Sequence, residues 1–315
     1  MERILEKTVT AEYDGATLQH FLRAGMGLTQ KEISRAKFLP LGICADGVQR
    51  KVTARVTAGQ RITVRTEKDG KVSAKLSASR EKPEVLYEDR DLLVVNKPAG
   101  ISAHPSGRGT FQADTLAGRL VAWLREKDEE SVIRIVGRLD KDTSGVVLVA
   151  KNRAAAGRLE RQREQGRLHK TYLALTEGVP EPERGSVEQP LQPDPEDKTR
   201  MRICTYDAES GKYAKTHYET VKKWENQKTA LVKLWLETGR THQIRVHMQS
   251  LGCPLLGDPL YGSPGSPKKP EGNGLERTAL HAATLDFCQP FTGEAIHIEA
   301  PMPKDIARYM ETVLK

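Results

Sequence analysis

The sequence predicts an α+β protein: a body built on a mostly antiparallel β-sheet, preceded by a small N-terminal α+β module. Three observations lead there. After residue 83, strand-like runs outnumber helical ones and follow one another directly, without the strand–helix alternation of a doubly wound fold. The first 65 residues carry their own helix caps and hairpin turn. Between the two, residues 66–82 (TEKDGKVSAKLSASREK) are charged and poor in bulky apolar groups, which is linker composition. The domains are therefore read as 1–65, a linker over 66–82, and 83–315.

In the module, Thr17 is placed to cap a short helix carrying Leu18, Phe21 and Leu22. Thr29 is placed to cap a second, with Ile33, Ala36 and Lys37. Asp46-Gly47, between Gly42-Ile43-Cys44 and Val48, signals a hairpin turn. After Gly59, Arg61–Arg65 alternates like a strand. The second helix and the hairpin share Lys31, Arg35, Lys37, Arg50 and Lys51. Of the chain's net charge of +8, residues 1–82 supply +7, with 16 Lys/Arg against 9 Asp/Glu. A small basic module on a nearly neutral body suits a polyanion held by salt-sensitive, sequence-blind phosphate contacts. The plain alternative for charge alone is a solvated surface.

In the body, strands are expected at Val85–Glu88, Leu92–Asn96, Ile133–Val136, Gly145–Lys151, Thr171–Thr176, Met201–Tyr206, Ala214–Lys223, Ala230–Glu237 and Ala295–Ala300. Helices are expected near Thr115–Arg125, Arg153–Gln165, Thr241–Leu251 and Lys304–Val313. Residues 263–276 (SPGSPKKPEGNGLE) read as an exposed loop.

With 315 residues, 37% of them hydrophobic, the chain can bury a sizeable core. No apolar run is long enough to span a bilayer, and the charged start Met1–Glu6 lacks the apolar stretch of a secretory signal. Cys44, Cys204, Cys253 and Cys288 are scattered, which fits reduced thiols in the cytoplasm and argues against a zinc site. Walker loop, dinucleotide fingerprint and serine-hydrolase elbow are all missing.

Four stretches could carry chemistry. In Gly137-Arg138-Leu139-Asp140-Lys141-Asp142-Thr143-Ser144-Gly145, a charged loop feeds into the apolar run Val146–Ala150. Arg138 and Asp140 would project to one side of an extended chain. Asp140 could be a nucleophile or base, or half of an ordinary surface ion pair. The stretch Glu237–His247 has Gly239 at a tight turn, Thr241 as a cap, and the cations and imidazoles Arg240, His242, Arg245 and His247. The bland reading is a basic, solvated helix start; His242 and His247 lack the spacing of a zinc motif. Tyr172 in His169–Leu175 is a strand tyrosine, ordinarily a core residue. Gly252–Gly262, dense in Gly and Pro, reads as a structural loop.

Together these blocks resemble the RluA-type pseudouridine synthases, from about Val85 to Pro303. Asn96-Lys97-Pro98-Ala99-Gly100-Ile101 resembles that family's opening block. Arg138-Leu139-Asp140-x-x-Thr143-Ser144-Gly145 matches its catalytic motif. Lys170-Thr171-Tyr172, the Gly239–His247 block, Gly257-Asp258-Pro259-x-Tyr261-Gly262 and Leu280-His281-Ala282 follow in the family's order. Residues 1–65 resemble the S-four-type RNA-binding domain that often precedes this catalytic domain. One position departs: the family usually has His before Arg-Leu-Asp, and here it is Gly137. The nucleophile and cation remain, so activity is expected to survive.

The resemblance implies isomerisation of uridine in RNA: uracil leaves C1′ of its ribose, rotates, and rejoins through C5. Neither cofactor nor metal is required. Asp140 would handle the glycosidic centre by sugar attack, uracil addition or proton abstraction. Arg245 would be its counter-charge. Arg138 would fill the space left by the flipped base, and Tyr172 would stack on the uracil with a hydroxyl able to relay a proton. Ile244 would pack beside it, with Arg240, His242 and His247 near phosphate or behind the site. Lys31, Arg35, Lys37, Arg50 and Lys51 would hold RNA. Ribosomal RNA of the large subunit is the expected partner, with transfer RNA the alternative. The other readings are a non-catalytic RNA-binding ribosome-assembly factor and a nucleoside hydrolase-like enzyme. A cytoplasmic monomer without membrane contact is expected.

Overall fold

A computed structural model of the chain describes residues 3–66, 78–105, 114–127, 132–263 and 275–314. Most of the expected linker and of the loop expected at 263–276 lies outside the described residues. The chain divides into two compact units, one built on the N-terminal residues and a larger one holding most of the rest.

The N-terminal unit contains β1 (Arg3–Thr8), α1 (Leu18–His20, continued by a wider turn over Phe21–Gly25), α2 (Gln30–Ala36), β2 (Ile43–Ala45), β3 (Val48–Gln49) and β4 (Arg61–Thr66). The strands form an antiparallel sheet in the order β1-β4-β2-β3. Thr17 caps α1 by accepting from the His20 amide, and Thr29 with Glu32 forms a capping box at α2. Asp46 and Gly47 both take positive φ, as a two-residue hairpin demands. Leu18, Phe21, Leu22, Ile33, Ile43 and Ile62 fill the core. Strand β1 is not among the elements expected from the sequence.

The larger unit runs β5 (Glu84–Glu88), β6 (Leu92–Lys97), α3 (Leu116–Glu126), β7 (Arg134–Val136), β8 (Ser144–Ala150), α4 (Arg153–Glu164), β9 (His169–Glu177), β10 (Arg184–Glu188), β11 (Leu191–Pro193), β12 (Met201–Ile203), β13 (Lys215–Trp224), β14 (Thr229–Leu236), α5 (Gln243–Ser250), β15 (Leu280–Cys288), β16 (Ala295–Glu299) and α6 (Lys304–Thr312). Its sheet has the order β10-β13-β14-β9-β15-β8-β6-β5, with β16 on β15 and β7 on β8; β11 and β12 form a separate ribbon. Among the described residues every pairing between these strands is antiparallel except β15 with β8.

The sequence reading of a mostly antiparallel sheet holds, and its largest correction is β15. Leu280–Cys288 is not among the expected strands, yet it lies at the centre of the sheet. Its first four residues are all buried, so the in-out alternation that marks a strand is missing there. The expected strand at Met201–Tyr206 is shorter, ending at Ile203 before a turn. In register, Ala282 of β15 faces Tyr172 of β9 on one side and Gly145 of β8 on the other. Gly145 has φ +114°, and a Cβ there would meet the Ala282 carbonyl oxygen at 2.1 Å. The glycine is what lets the two strands approach. Ser144 Oγ lies 3.0 Å from Nδ1 of the buried His281, closing the same junction. Among the described residues no helix is long and apolar enough to cross a membrane.

Candidate active site

Asp140 sits in the loop entering β8. Gly137 has φ +72° and the chain bends there, and residues 138–140 belong to no strand. Arg138 is exposed, with no hydrogen bond or ion pair among the described residues. Its charge reaches His104, which burial and Arg138 together hold below the ordinary imidazole value. Leu139 is buried, and the Asp140 carboxylate is about one-third exposed. The Asp140 carbonyl accepts from the Thr143 amide at 3.2 Å, closing a turn over Lys141 and Asp142.

Tyr172 rises from β9 with 7% of its surface exposed, and its hydroxyl has no partner among the described residues. Burial, and then the charge of Asp140, push its phenol well above the usual range. It is a neutral donor with nothing yet to donate to. Lys170, two residues earlier on the same strand face, also lacks a partner there; burial brings its amine down to about 8.

The third element is α5. Its N-cap is His242, in a left-handed conformation (φ 55°), and not Thr241 as its side chain suggests. Gln243 ties down this turn. Its Oε1 accepts from the Arg240 amide and the Thr238 hydroxyl, while its Nε2 donates to the Lys215 carbonyl and Thr216 Oγ1. A non-glycine residue at positive φ is unusual and often marks a site. His242 Nδ1 lies 2.9 Å from the Tyr261 hydroxyl. Burial lowers its pKa, Asp140 opposes the shift and Arg245 adds to it.

Arg245 is buried, contrary to a solvated helix start. It donates from Nε to Asp258 Oδ2 at 2.6 Å and from Nη2 to Oδ1 at 2.7 Å. Its Nη1 stands 3.9 Å from Asp140 Oδ2. Burial works against the guanidinium's charge, but the Asp258 hydrogen bonds and the charges of Asp258 and Asp140 outweigh it and raise its pKa. Its guanidinium lies over the Tyr261 ring at 4.9 Å, and Arg200 lies over the same ring at 5.3 Å.

The loop read as structural supplies the carboxylate that anchors Arg245. Asp258 is fully buried, and its Oδ1 also accepts from the Leu260 and Tyr261 amides. A Cβ at Gly257 would strike the Arg277 carbonyl oxygen at 2.3 Å, and one at Gly262 would meet that of Asp258 at 2.6 Å. The signal in the sequence is an acid flanked by two obligatory glycines, within reach of an arginine.

The other expected site residues are dispersed. Ile244 is buried in the same core cluster as Tyr172. Arg240 is exposed and donates from Nε to the Tyr213 carbonyl. His247, expected near phosphate or behind the site, is wholly buried between Thr216 Oγ1 and the Gln189 carbonyl. Lys31, Arg35, Lys37, Arg50 and Lys51 are all exposed on the N-terminal unit.

A carboxylate beside a buried, doubly anchored cation, with an unengaged phenol near enough to feel its charge, can do nucleophilic or acid–base work. A family model described as RNA pseudouridylate synthase matches residues 91–250. An uncharacterised RNA pseudouridine synthase of Bacillus subtilis is 41% identical over 73% of this chain and 72% of its own length. Ribosomal large subunit pseudouridine synthase D of Haemophilus ducreyi is 31% identical over 98% of this chain and 95% of its own. Human RNA pseudouridylate synthase domain containing 4 superposes with a TM-score of 0.58 at 26% identity, covering 72% of this chain and 92% of that one. The chain belongs to the RNA pseudouridylate synthase family and is an RNA-modifying isomerase.

Proposed function

We propose that this enzyme converts uridine to pseudouridine in large-subunit ribosomal RNA, with Asp140 acting at the glycosidic centre. The observation that supports the site is Arg245 standing 3.9 Å from Asp140, with Tyr172 near enough for the Asp140 charge to raise its phenol, three residues from a helix, a loop and a strand far apart in the chain. The target rests on relatives named for the large ribosomal subunit, one matching nearly the whole chain.

The uridine must leave its stack, at a cost of a few kcal/mol, to bring C1′ to Asp140. Exposed Arg138 stands ready to fill the vacated stack, since a guanidinium plane suits stacking. Tyr172 then lies against the uracil face. Arg245 sets a positive charge beside the Asp140 carboxylate without consuming it in a hydrogen bond. The N1–C1′ bond breaks, uracil turns and bonds to C1′ through C5, the proton on C5 is lost and N1 gains one, so no net redox change occurs.

The N-terminal unit serves as an S-four-type RNA-binding domain on this reading, spanning 1–65 and linked through 66–82 to a catalytic domain over 83–315. Its support is the exposed basic set together with Phe38, 81% exposed, over which the Lys37 ammonium lies at 4.9 Å. An exposed ring flanked by cations suits an unpaired base next to phosphates. The enzyme acts as a cytoplasmic monomer.

The test incubates wild-type protein and Asp140→Asn with large-subunit ribosomal RNA and with transfer RNA, then maps pseudouridine chemically. Wild type is expected to modify only the ribosomal RNA, and Asp140→Asn to lose at least about four orders of magnitude in rate. Unchanged turnover in the variant would sink the Asp140 assignment; modification of transfer RNA alone would move the target.

A further inference from the structure

Asp140 has no close side-chain anchor among the described residues. Its nearest cation is 3.9 Å away, so the placement of its carboxylate depends on the backbone of the turn that it opens. The two central carbonyls of that turn, Lys141 and Asp142, are each held by a cation, the first by a buried lysine and the second by a partly buried arginine. The Lys141 carbonyl accepts from the Gly100 amide and from Lys97 Nζ, both at 3.0 Å. Lys97 is wholly buried and spends its other two protons on the Pro98 and Ile101 carbonyls.

The Asp142 carbonyl accepts from Arg277 Nη1 at 3.1 Å. The same Nη1 reaches the Thr278 and Leu280 carbonyls, at 3.1 and 3.3 Å, at the start of β15. The other edge of the guanidinium closes on Asp305, Nε to Oδ2 at 2.6 Å and Nη2 to Oδ1 at 3.0 Å. Asp305 lies in the first turn of α6 and also accepts the Ile306 amide. Ile306 anchors that helix in a cluster with Leu175 and Trp224.

We infer that Arg277 is a positioning residue for catalysis, and that α6, through Asp305, holds the Asp140 turn in its working geometry. A guanidinium can serve here because it is a rigid fork with donors on two edges. One edge binds the carboxylate while the other reaches carbonyls from two segments. A lysine in this place keeps the charge but has no planar fork to pair with both Asp305 oxygens while reaching the carbonyls on the opposite edge. The plainer reading, that the pair merely ties α6 to the body, predicts lower stability with unaltered chemistry once folded. The inference rests on the assignment of Asp140 as the acting carboxylate.

The experiment compares wild type, Arg277→Lys, Asp305→Asn and Asp305→Glu by single-turnover pseudouridine formation, RNA binding, and amide exchange of residues 140–145. Arg277→Lys is expected to lower the chemical rate at least about tenfold, as sub-ångström misplacement of a reacting group does. RNA affinity is expected to stay within about twofold, while exchange across the turn quickens. Asp305→Asn, at an exposed helix start that tolerates the change, is expected to show the same pattern more weakly, and Asp305→Glu to recover most of it. Rates and exchange unchanged in folded Arg277→Lys and Asp305→Asn would overturn the inference. Wild type that makes no pseudouridine would instead overturn the functional reading, and the exchange data would still decide whether the clamp holds the turn.

Discussion

Nη1 of Arg245 stands 3.9 Å from Oδ2 of Asp140, too far for a hydrogen bond and near enough to attract its charge. The cation keeps that distance because Asp258 holds the guanidinium from behind with two short bonds. Asp258→Asn removes the buried counter-charge and one strong acceptor. Turnover is expected to fall about tenfold to a hundredfold. Asp258→Ala, which leaves Arg245 wholly unpaired on that side, is expected to cost about 3–5 kcal/mol of stability. Denaturant melts and single-turnover rates on both variants check this.

Tyr172→Phe keeps the ring and removes a hydroxyl that has no partner among the described residues. RNA affinity is expected to hold while the chemical rate falls about a hundredfold, the scale of losing one proton-transfer group. Equal rates for Phe and Tyr would leave the ring with stacking alone.

Lys170 tests the electrostatics of the same strand face. Its folded pKa lies near 8 against 10.5 for the free side chain. A depressed lysine means that the unfolded chain holds the proton more tightly. The cost of the buried charge is therefore fully present below pH 8 and fades as pH rises towards 10.5. Lys170→Met is expected to be more stable than wild type at about pH 7, with the advantage shrinking between the folded and unfolded pKa values. Urea melts at several pH values read this directly.

The basic set of the N-terminal unit is testable by salt. Replacing Lys31, Arg35 and Lys37 together by Ala is expected to make the slope of log affinity against log salt shallower, by about 0.7–0.9 for each phosphate that the variant no longer neutralises. Pseudouridine formation at saturating RNA is expected to stay near wild type. Binding isotherms from low to moderate salt give the slope.

Gly137 stands where the family's usual His is missing, and its positive φ favours a residue without Cβ. Nothing lies within 4 Å of the Cβ position, so only backbone strain opposes a side chain there. Gly137→His is expected to cost about 1–2 kcal/mol in thermal stability. A neutral or stabilising result would show that this bend relaxes at little cost.

Much of this protein is determined by short stretches of sequence, because the interactions concerned are local. Thr17 and Thr29 cap their helices and Asp46-Gly47 makes its hairpin within a few residues of chain. The order of the blocks around Asp140, Tyr172 and Arg245 points to one family with no knowledge of how they meet. Tertiary structure decided what reaches those residues through space. Leu280–Cys288, half of it buried on both faces, gives no alternating signal, and only the register of its neighbours places it between Tyr172 and Gly145. The side chain of Thr241 looks like a cap, but the cap position falls to His242, next to Gln243, whose amide Lys215 and Thr216 of β13 hold. Asp258 reads as a loop residue and Arg277 draws no reading at all, because their partners, Arg245, Asp142 and Asp305, lie 13 to 135 positions away. A buried charge becomes legible only when its counter-charge is in view, and that pairing is made by the folded sheet.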